Sequence, residues 1–524
     1  MVRARTDSAR AASPSVGREG AGPYTRPTGI TAARHVARRS EAGTERFPVV
    51  RSGNGRPRRA TWIVGLVLLC AAVMPVNAGG PVSGERAISV SRIALVVERH
   101  PEPPVSAPCD HRIGLSVEEI DGADSFRHIG PGDVICLVPG TRGNLKLRNL
   151  HGAPGAPIVV RNDGGLVVIT GTRYEAGITI IASSFLRVTG AGVTSRCGAA
   201  LPPNEQACGI ELRGANKGVT IRTEDADVRD IEVDHLYIHE TSRDKRTRGI
   251  AIHPLEGQLV SGISIHHNHV HGTLAEGIYV GTEPNDRPFQ LLPKIERLDV
   301  SYNLVEETGY DGIKIKTAIR DVRVHHNVVR DSGHEGNAAH QGGIKLAFSV
   351  GEYYNNLIVG SVEGIKMGRD LPNAGTRYYN NLIVGVRTVG LEASETGALV
   401  YNNTIVGGEV GIRVLSDDAR VFDNIVVDVS GTPIEAGPSA IGRNVVGSSV
   451  AAGFVDRARG DFRLARYSPA VDAGRRQGTF PAFDHDDLPR PQGVRTDLGA
   501  FEYPGGARCL CRFRLPFALP VWID

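Results

Sequence analysis

From Ile263 to Asn444 the chain alternates apolar and polar residues in short runs, and the runs end alike. Ile263-Ser-Ile-His-His-Asn268, Leu298-Asp-Val-Ser-Tyr-Asn303 and Val322-Arg-Val-His-His-Asn327 are followed by Gly351-Glu-Tyr-Tyr-Asn-Asn356 and Tyr378-Tyr-Asn-Asn381. Val400-Tyr-Asn-Asn403 and Val421-Phe-Asp-Asn424 continue the series, which closes at Asn444. The spacings between these asparagines are 35, 24, 29, 25, 22, 21 and 20. A second mark, Gly plus an aliphatic residue, recurs at Gly277-Ile278, Gly312-Ile313, Gly343-Ile344, Gly364-Ile365, Gly390-Leu391 and Gly411-Ile412. Alternation with a period of two predicts strands, with Ile313 and Ile315 on one face and Lys314 and Lys316 on the other. No stretch keeps a helical period, and β-branched residues dominate. A repeat of roughly 20–30 residues built of short strands predicts an all-β solenoid. The Asn column is structural, because a short amide side chain tolerates tight-turn backbone and bonds to neighbouring coils.

The pattern divides the chain. Residues 1–60 hold 13 Arg, no Lys, one Asp and three Glu, with too few large apolar residues for a core. They read as a basic disordered lead, with a start assigned upstream of the true one. Residues 61–78 contain the apolar run Trp62 to Val76 and end in Val76-Asn77-Ala78, the layout of a secretory signal peptide. The run is short for a membrane span. Residues 79–108 are a linker, 109–450 the coils, 451–505 a C-terminal cap over the open strand edge, and 506–524 a tail. The formal charge is +3, and without residues 1–78 it becomes 47 − 53 = −6. That excludes a global attraction for nucleic acid. A secreted, periplasmic or cell-surface monomer with no stable membrane span after signal removal is expected. Cys197 and Cys208 flank a short loop suited to a disulfide, and Cys109 with Cys136 can tie down the N-terminal cap.

Stacked coils bring equivalent residues about 4.8 Å apart, so columns carry the chemistry. The outward column after the Gly-aliphatic mark reads Ala251, Tyr279, Lys314, Lys345, Lys366, Glu392, Arg413. The position before the Gly reads Arg248, Glu276, Asp311, Gly342, Glu363, Val389, Val410. Like charges at that spacing repel by roughly 1 kcal/mol in water, so a lysine ladder needs anions. Either the carboxylate column supplies them on a solvated face, or an acidic polysaccharide does. Insertions at 240–248, 282–294 and 333–341 fall around the strand of Lys314 and Lys316 and suit the walls of a binding face. His266, His267, His269 and His271 read as turn and surface residues whose alternate members face apart. Tyr354, Tyr379, Tyr401 and Phe422 read as a stabilising aromatic column.

The Asn and Gly-aliphatic repeats resemble the right-handed parallel β-helix proteins of the pectate-lyase-like superfamily over residues 130–450. The segments Asp461-Phe-Arg-Leu464, Ser468 to Gly474 and Asp497 to Tyr503 resemble the terminal segment of exported bacterial β-helix proteins. Asp311-Gly-Ile-Lys-Ile-Lys316 is similar to a pectate lyase coil whose last Lys abstracts the proton, and to the catalytic-Lys coil of chondroitinase B-like and alginate lyases. The Arg those lyases carry one coil later falls here near Ala347. The resemblance implies β-elimination on a uronate polymer, with Lys316 as base and a neutraliser of the substrate carboxylate, often calcium. Glu276, Asp311 and Glu335 are the candidate calcium ligands. Lys314, Lys345, Lys366 and Tyr279 are the candidate substrate contacts, and His334 and His340 the alternative acid or base. A non-catalytic carbohydrate-binding surface protein, a glycoside hydrolase and a uronan C5-epimerase remain as alternatives.

Overall fold

The computed structural model describes residues 107–523, apart from 173–174, 192–208, 225, 240, 242–246, 283–288, 370–374, 437–439, 477 and 506–520. The lead, the signal segment, nearly all of the linker, and Cys197 and Cys208 therefore lie outside the described residues. Among the described residues no helix is long and apolar enough to cross a membrane.

Each coil supplies one strand to each of three sheets, and the chain is a right-handed parallel β-helix. Parallel neighbours joined by crossovers take this hand because right-twisted strands pack back on the stack only that way. The lysine sheet runs from Glu119–Asp121 to Thr432–Ala436 and includes Ile278–Val280, Ile313–Lys316, Gly342–Ala347 and Glu363–Arg369. The aromatic sheet runs from His111–Ile113 to Ala440–Ile441, and the third sheet from Gly140–Arg142 to Asn444–Gly447. The inward positions are Val, Ile and Leu with no exposed surface, such as Ile278, Ile313, Ile344 and Ile365 in successive coils. Cys109 and Cys136 are disulfide-bonded at the first coils.

Both sequence marks are corners. The residue before each ladder Asn from Asn268 to Asn424 has positive φ, as in His267 (54°), Tyr302 (54°) and His326 (53°), and turns the chain from the aromatic to the third sheet. Each Asn amide then donates to the next Asn across seven consecutive steps at 2.9–3.0 Å. The Gly mark sits where the third sheet meets the lysine sheet. A Cβ on Gly312 would lie 2.4 Å from Val329 Cγ1 and 2.7 Å from the Gly343 carbonyl, so only Gly closes this corner.

The segment expected as an end cap runs along the side of the stack. Phe462, Leu464, Leu498 and Phe501 pack on Leu357, Leu382, Val406 and Ile425 of the third sheet. Its backbone is held by outward amides: Asn380 donates to Phe483 O at 2.7 Å, Asn355 to Asp484 O at 3.0 Å and Asn402 to Asp497 O at 3.0 Å. At the last coil the backbone of Val521–Ile523 pairs antiparallel with Asn444–Gly447.

Candidate active site on the lysine sheet

The register aligns Ala251, Tyr279, Lys314, Lys345, Lys366, Glu392 and Arg413 as one outward column, as the Gly-aliphatic marks predict. The column is not solvated. Lys314, Lys316 and Lys345 keep only 3%, 5% and 8% of their surface, and the insertion at 333–341 folds over Lys314 and Lys345. Its two halves diverge. The Gly333 N–H bonds to the carbonyls of Thr308 and Tyr310, and Glu335 N donates to Gly309 O, which leaves His334 and Glu335 exposed at the lip. The chain then returns so that Ala339 O accepts from Lys345 Nζ at 2.6 Å, and His340 stacks on Tyr310 at 4.7 Å.

Opposite charges interleave beneath this roof. Lys314 Nζ lies 3.0 Å from Asp311 Oδ2 and 3.5 Å from Glu276 Oε1. Arg248 Nε bonds the other Glu276 oxygen at 2.7 Å. Lys366 Nζ lies 2.6 Å from Glu363 and 3.9 Å from Glu392, and Arg413 joins Glu392 to Glu435. The sequence left two sources of anions open, and the carboxylates of the chain itself pair with Lys314 and Lys366. Burial alone would push the Asp311 carboxyl up, but His340, the Lys314 and Lys345 charges and the Gly342 N–H outweigh it and hold it below its ordinary range. Burial lowers the Lys345 ammonium pKa against the pull of Asp311.

The candidate calcium set is rearranged. Glu276 and Asp311 come together, and the third member within 4.8 Å is His340, not the exposed Glu335. The Lys314 ammonium stands against both carboxylates, where a cation needing 6–8 oxygens would have to sit. These residues do not fit calcium. They do fit proton exchange: His340 Nδ1 lies 2.5 Å from Lys314 Nζ and 3.4 Å from Asp311 Oδ2. As an acceptor it takes a Lys314 N–H; once protonated it donates to Asp311.

Lys316 occupies the next outward position of the same strand. Its Nζ lies 5.5 Å from the centre of the Tyr279 ring, which Arg248 also covers at 4.1 Å and His253 approaches at 5.4 Å. In the next coil Lys316 faces Ala347. His334 is not part of this group; its Nδ1 lies 2.9 Å from Arg387 Nη2. Arg248, His253 and Tyr310 belong to the site beyond the residues picked from sequence. The place of Arg248 one coil before Glu276 in the column preceding the Gly was the available signal for Arg248.

The remaining columns also find partners. The rings of Tyr354, Tyr379, Tyr401 and Phe422 stack face to face at 4.8, 5.2 and 5.2 Å, so each covers its neighbour. His266 and His267 do not face apart: the positive φ at His267 folds the rings together, with their Nδ1 atoms 2.8 Å apart. His266, His267 and His269 are buried rather than on the surface. A groove of 940 Å³ lies on the aromatic sheet.

No protein-family profile and no curated protein sequence matches the chain. Among solved structures it is similar to an alginate lyase from Paenibacillus sp. str. FPU-7, with 17% identity, 63% of this chain and 97% of that one covered, and a TM-score of 0.37. It is similar to the pectate lyase Pel9A at 13% identity, 79% and 100% coverage and a TM-score of 0.41. A GH136 lacto-N-biosidase from Eubacterium ramulus matches at 15% identity, 63% and 67% coverage and a TM-score of 0.37. The chain is thus similar to lyases and to a biosidase alike.

Proposed function

We infer that the protein is a lyase that cleaves an acidic, uronate-containing polysaccharide by β-elimination on the lysine sheet. The observation that carries this reading is the grouping of Lys316, Tyr279 and Arg248 beside the Lys314–His340 pair on neighbouring rungs. Lys316 takes the proton α to the uronate carboxylate. A base works as the free amine. Arg248 and Lys345 offset the charge that builds on the substrate carboxylate. His340, part-exposed at the mouth of the cluster, returns a proton to the leaving oxygen. Secretion suits the disulfide of the first coils, which persists in an oxidising compartment.

Glycoside hydrolysis is the weaker chemistry. It needs two carboxyl groups, one of them protonated or free to attack. Glu276 and Asp311 have no exposed surface and are ion-paired with Arg248 and Lys314.

The test is a screen over pectate, alginate and glycosaminoglycans for new unsaturated ends absorbing in the ultraviolet. Cleavage is expected on one of them and is unchanged by a calcium chelator. Lys316 is buried, so Lys316→Met, which keeps an unbranched apolar stem in its place, is the cleaner variant. It should slow elimination at least ~10²-fold with little change in melting. Full activity in that variant moves the base to His340, and no cleavage by well-folded protein overturns the lyase reading.

A further inference from the structure

The aromatic sheet is bent at one column. Phe185, Asp230, Gly262, Arg297 and Asp321 all have positive φ, at 49°, 52°, 71°, 53° and 53°. The pairing on either side places them at one register position in five successive coils. Each strand therefore kinks at the same point, and stacked kinks fold the sheet into a trough. Two cavities mark it, of 940 and 240 Å³, and both are lined by Gly262 and Ser264. Together they reach from the coil of Phe185 to that of Glu352, six rungs or about 24 Å. A Cβ on Gly262 would lie 2.3 Å from Asp230 Oδ1 and 2.8 Å from Arg297 Nη2, so the glycine leaves room for the ion pair these side chains make across it at 3.0 Å.

The floor is a single column, Arg187, Glu232, Ser264, Asp299, Arg323 and Glu352. Its charges pair along the trough, Arg187 with Glu232 at 3.1 Å and Arg323 with Asp299 at 3.0 Å. Three guanidinium groups, with Arg297, face five carboxylates, with Asp230 and Asp321. That balance repels an acidic polymer and gives nucleic acid nothing to neutralise. A protein partner would want apolar anchors in the floor, but Ile263, Leu298 and Val322 are turned into the core. What fits a long polar trough of paired donors and acceptors, edged by the His267 and Tyr302 rings, is a chain of hydroxyl groups.

We propose that this trough is a second carbohydrate site that holds an extended, uncharged glycan chain. It is separate from the lysine sheet, and the proposal does not depend on the lyase reading.

Affinity electrophoresis through gels cast with galactomannan, xylan, mixed-linkage β-glucan or pectate tests it. Retardation by at least one neutral glycan, persisting at high salt, is expected. Ser264→Trp fills the floor with an indole from an outward position and should weaken that binding by about tenfold or more with unchanged melting. Arg323→Ala removes one floor donor from an exposed site and should weaken it about threefold. No retardation by any neutral glycan, retardation that salt abolishes, or full binding by both variants overturns the proposal. Cleavage of uronate polymers without neutral-glycan binding would sink this proposal and leave the lyase reading standing.

Discussion

The helix contains two stacks of buried polar side chains at the same rung spacing, and they are built on opposite rules. In the turn after the aromatic sheet one residue repeats: Asn268, Asn303, Asn327, Asn356, Asn381, Asn403, Asn424 and Asn444. An amide carries both donor and acceptor, so a copy of itself satisfies it. On the lysine sheet no single charge can repeat without carboxylates between, and the members differ from coil to coil: Arg248, Glu276, Lys314 with Asp311, Lys366 with Glu363, Arg413 with Glu392. A self-complementary ladder can propagate through the whole stack with no other role. A ladder of unlike charges has to be composed rung by rung, and its composition is where a reaction can be placed.

Breaking a rung of the charged stack should have the largest effect. Lys314→Met leaves Asp311, with no exposed surface, facing only His340, Lys345 and the Gly342 N–H. Loss of one partner from a buried pair costs about 3–5 kcal/mol. Denaturant unfolding of Lys314→Met should show a loss in that range, and Asp311→Asn together with Lys314→Met should recover part of it because no charge is then stranded. A double variant no more stable than the single one would mean the pair is not the unit.

The amide stack should respond the other way. Asn327 donates to Val300 O and Asn356 Oδ1 and accepts from the N–H groups of Asn303. Asn327→Leu strands at least one buried group on either side, a loss of about 2–4 kcal/mol. Adding Asn356→Leu should deepen the loss, since the break now spans two rungs. Partial rescue in the second variant would show that the amides do not bond as a ladder, and specific activity per folded molecule should be unchanged throughout.

The contrast also explains what the sequence could reveal. Period-two runs and recurring corners are local, so the coils, the register of the Lys314 column and the Asn ladder could be read directly. Pairing between columns was not legible in the same way. That Lys314 is buried against Asp311 and Glu276 depends on the 333–341 loop folding back, and its return brings in His340 while leaving Glu335 outside. Local rules failed at the His266–His267 step, where a single left-handed residue overrides strand alternation. The Asn-Asn doublets held a signal that went unread. Asn355, Asn380 and Asn402 each precede a ladder Asn, and they are the positions that hold the C-terminal segment, where the uncovered coils carry His267 and Tyr302.

The smallest effect should come from pH, at the seam between that segment and the stack. Burial raises the Asp423 carboxyl to about 6 against the pull of Arg475, which lies 3.4 Å away. Burial also raises the carboxyls of Asp497, Glu502 and Asp486, and the Glu502 charge raises Asp497 further. A carboxyl with a raised folded pKa binds more protons folded than unfolded, so its contribution improves as pH falls from above 7 toward the ordinary carboxylate range. His485 works against this: burial lowers its pKa, and acidification below about 6.5 favours the unfolded form. Between pH 8 and pH 6 the gain from Asp497, raised to about 7, and Asp423 exceeds what protonation of the unfolded His485 takes back, so the seam should tighten by up to about 1 kcal/mol. Hydrogen exchange of residues 461–464 and 497–502 should therefore slow, beyond the intrinsic rate change, on going from pH 8 to pH 6. Exchange in the Asn ladder, whose side chains do not ionise, should show no such excess. Faster seam exchange at pH 6 would mean these carboxyls are charged when docked, which would place the segment in the same class as the lysine sheet, held by ion pairs rather than by neutral polar contacts.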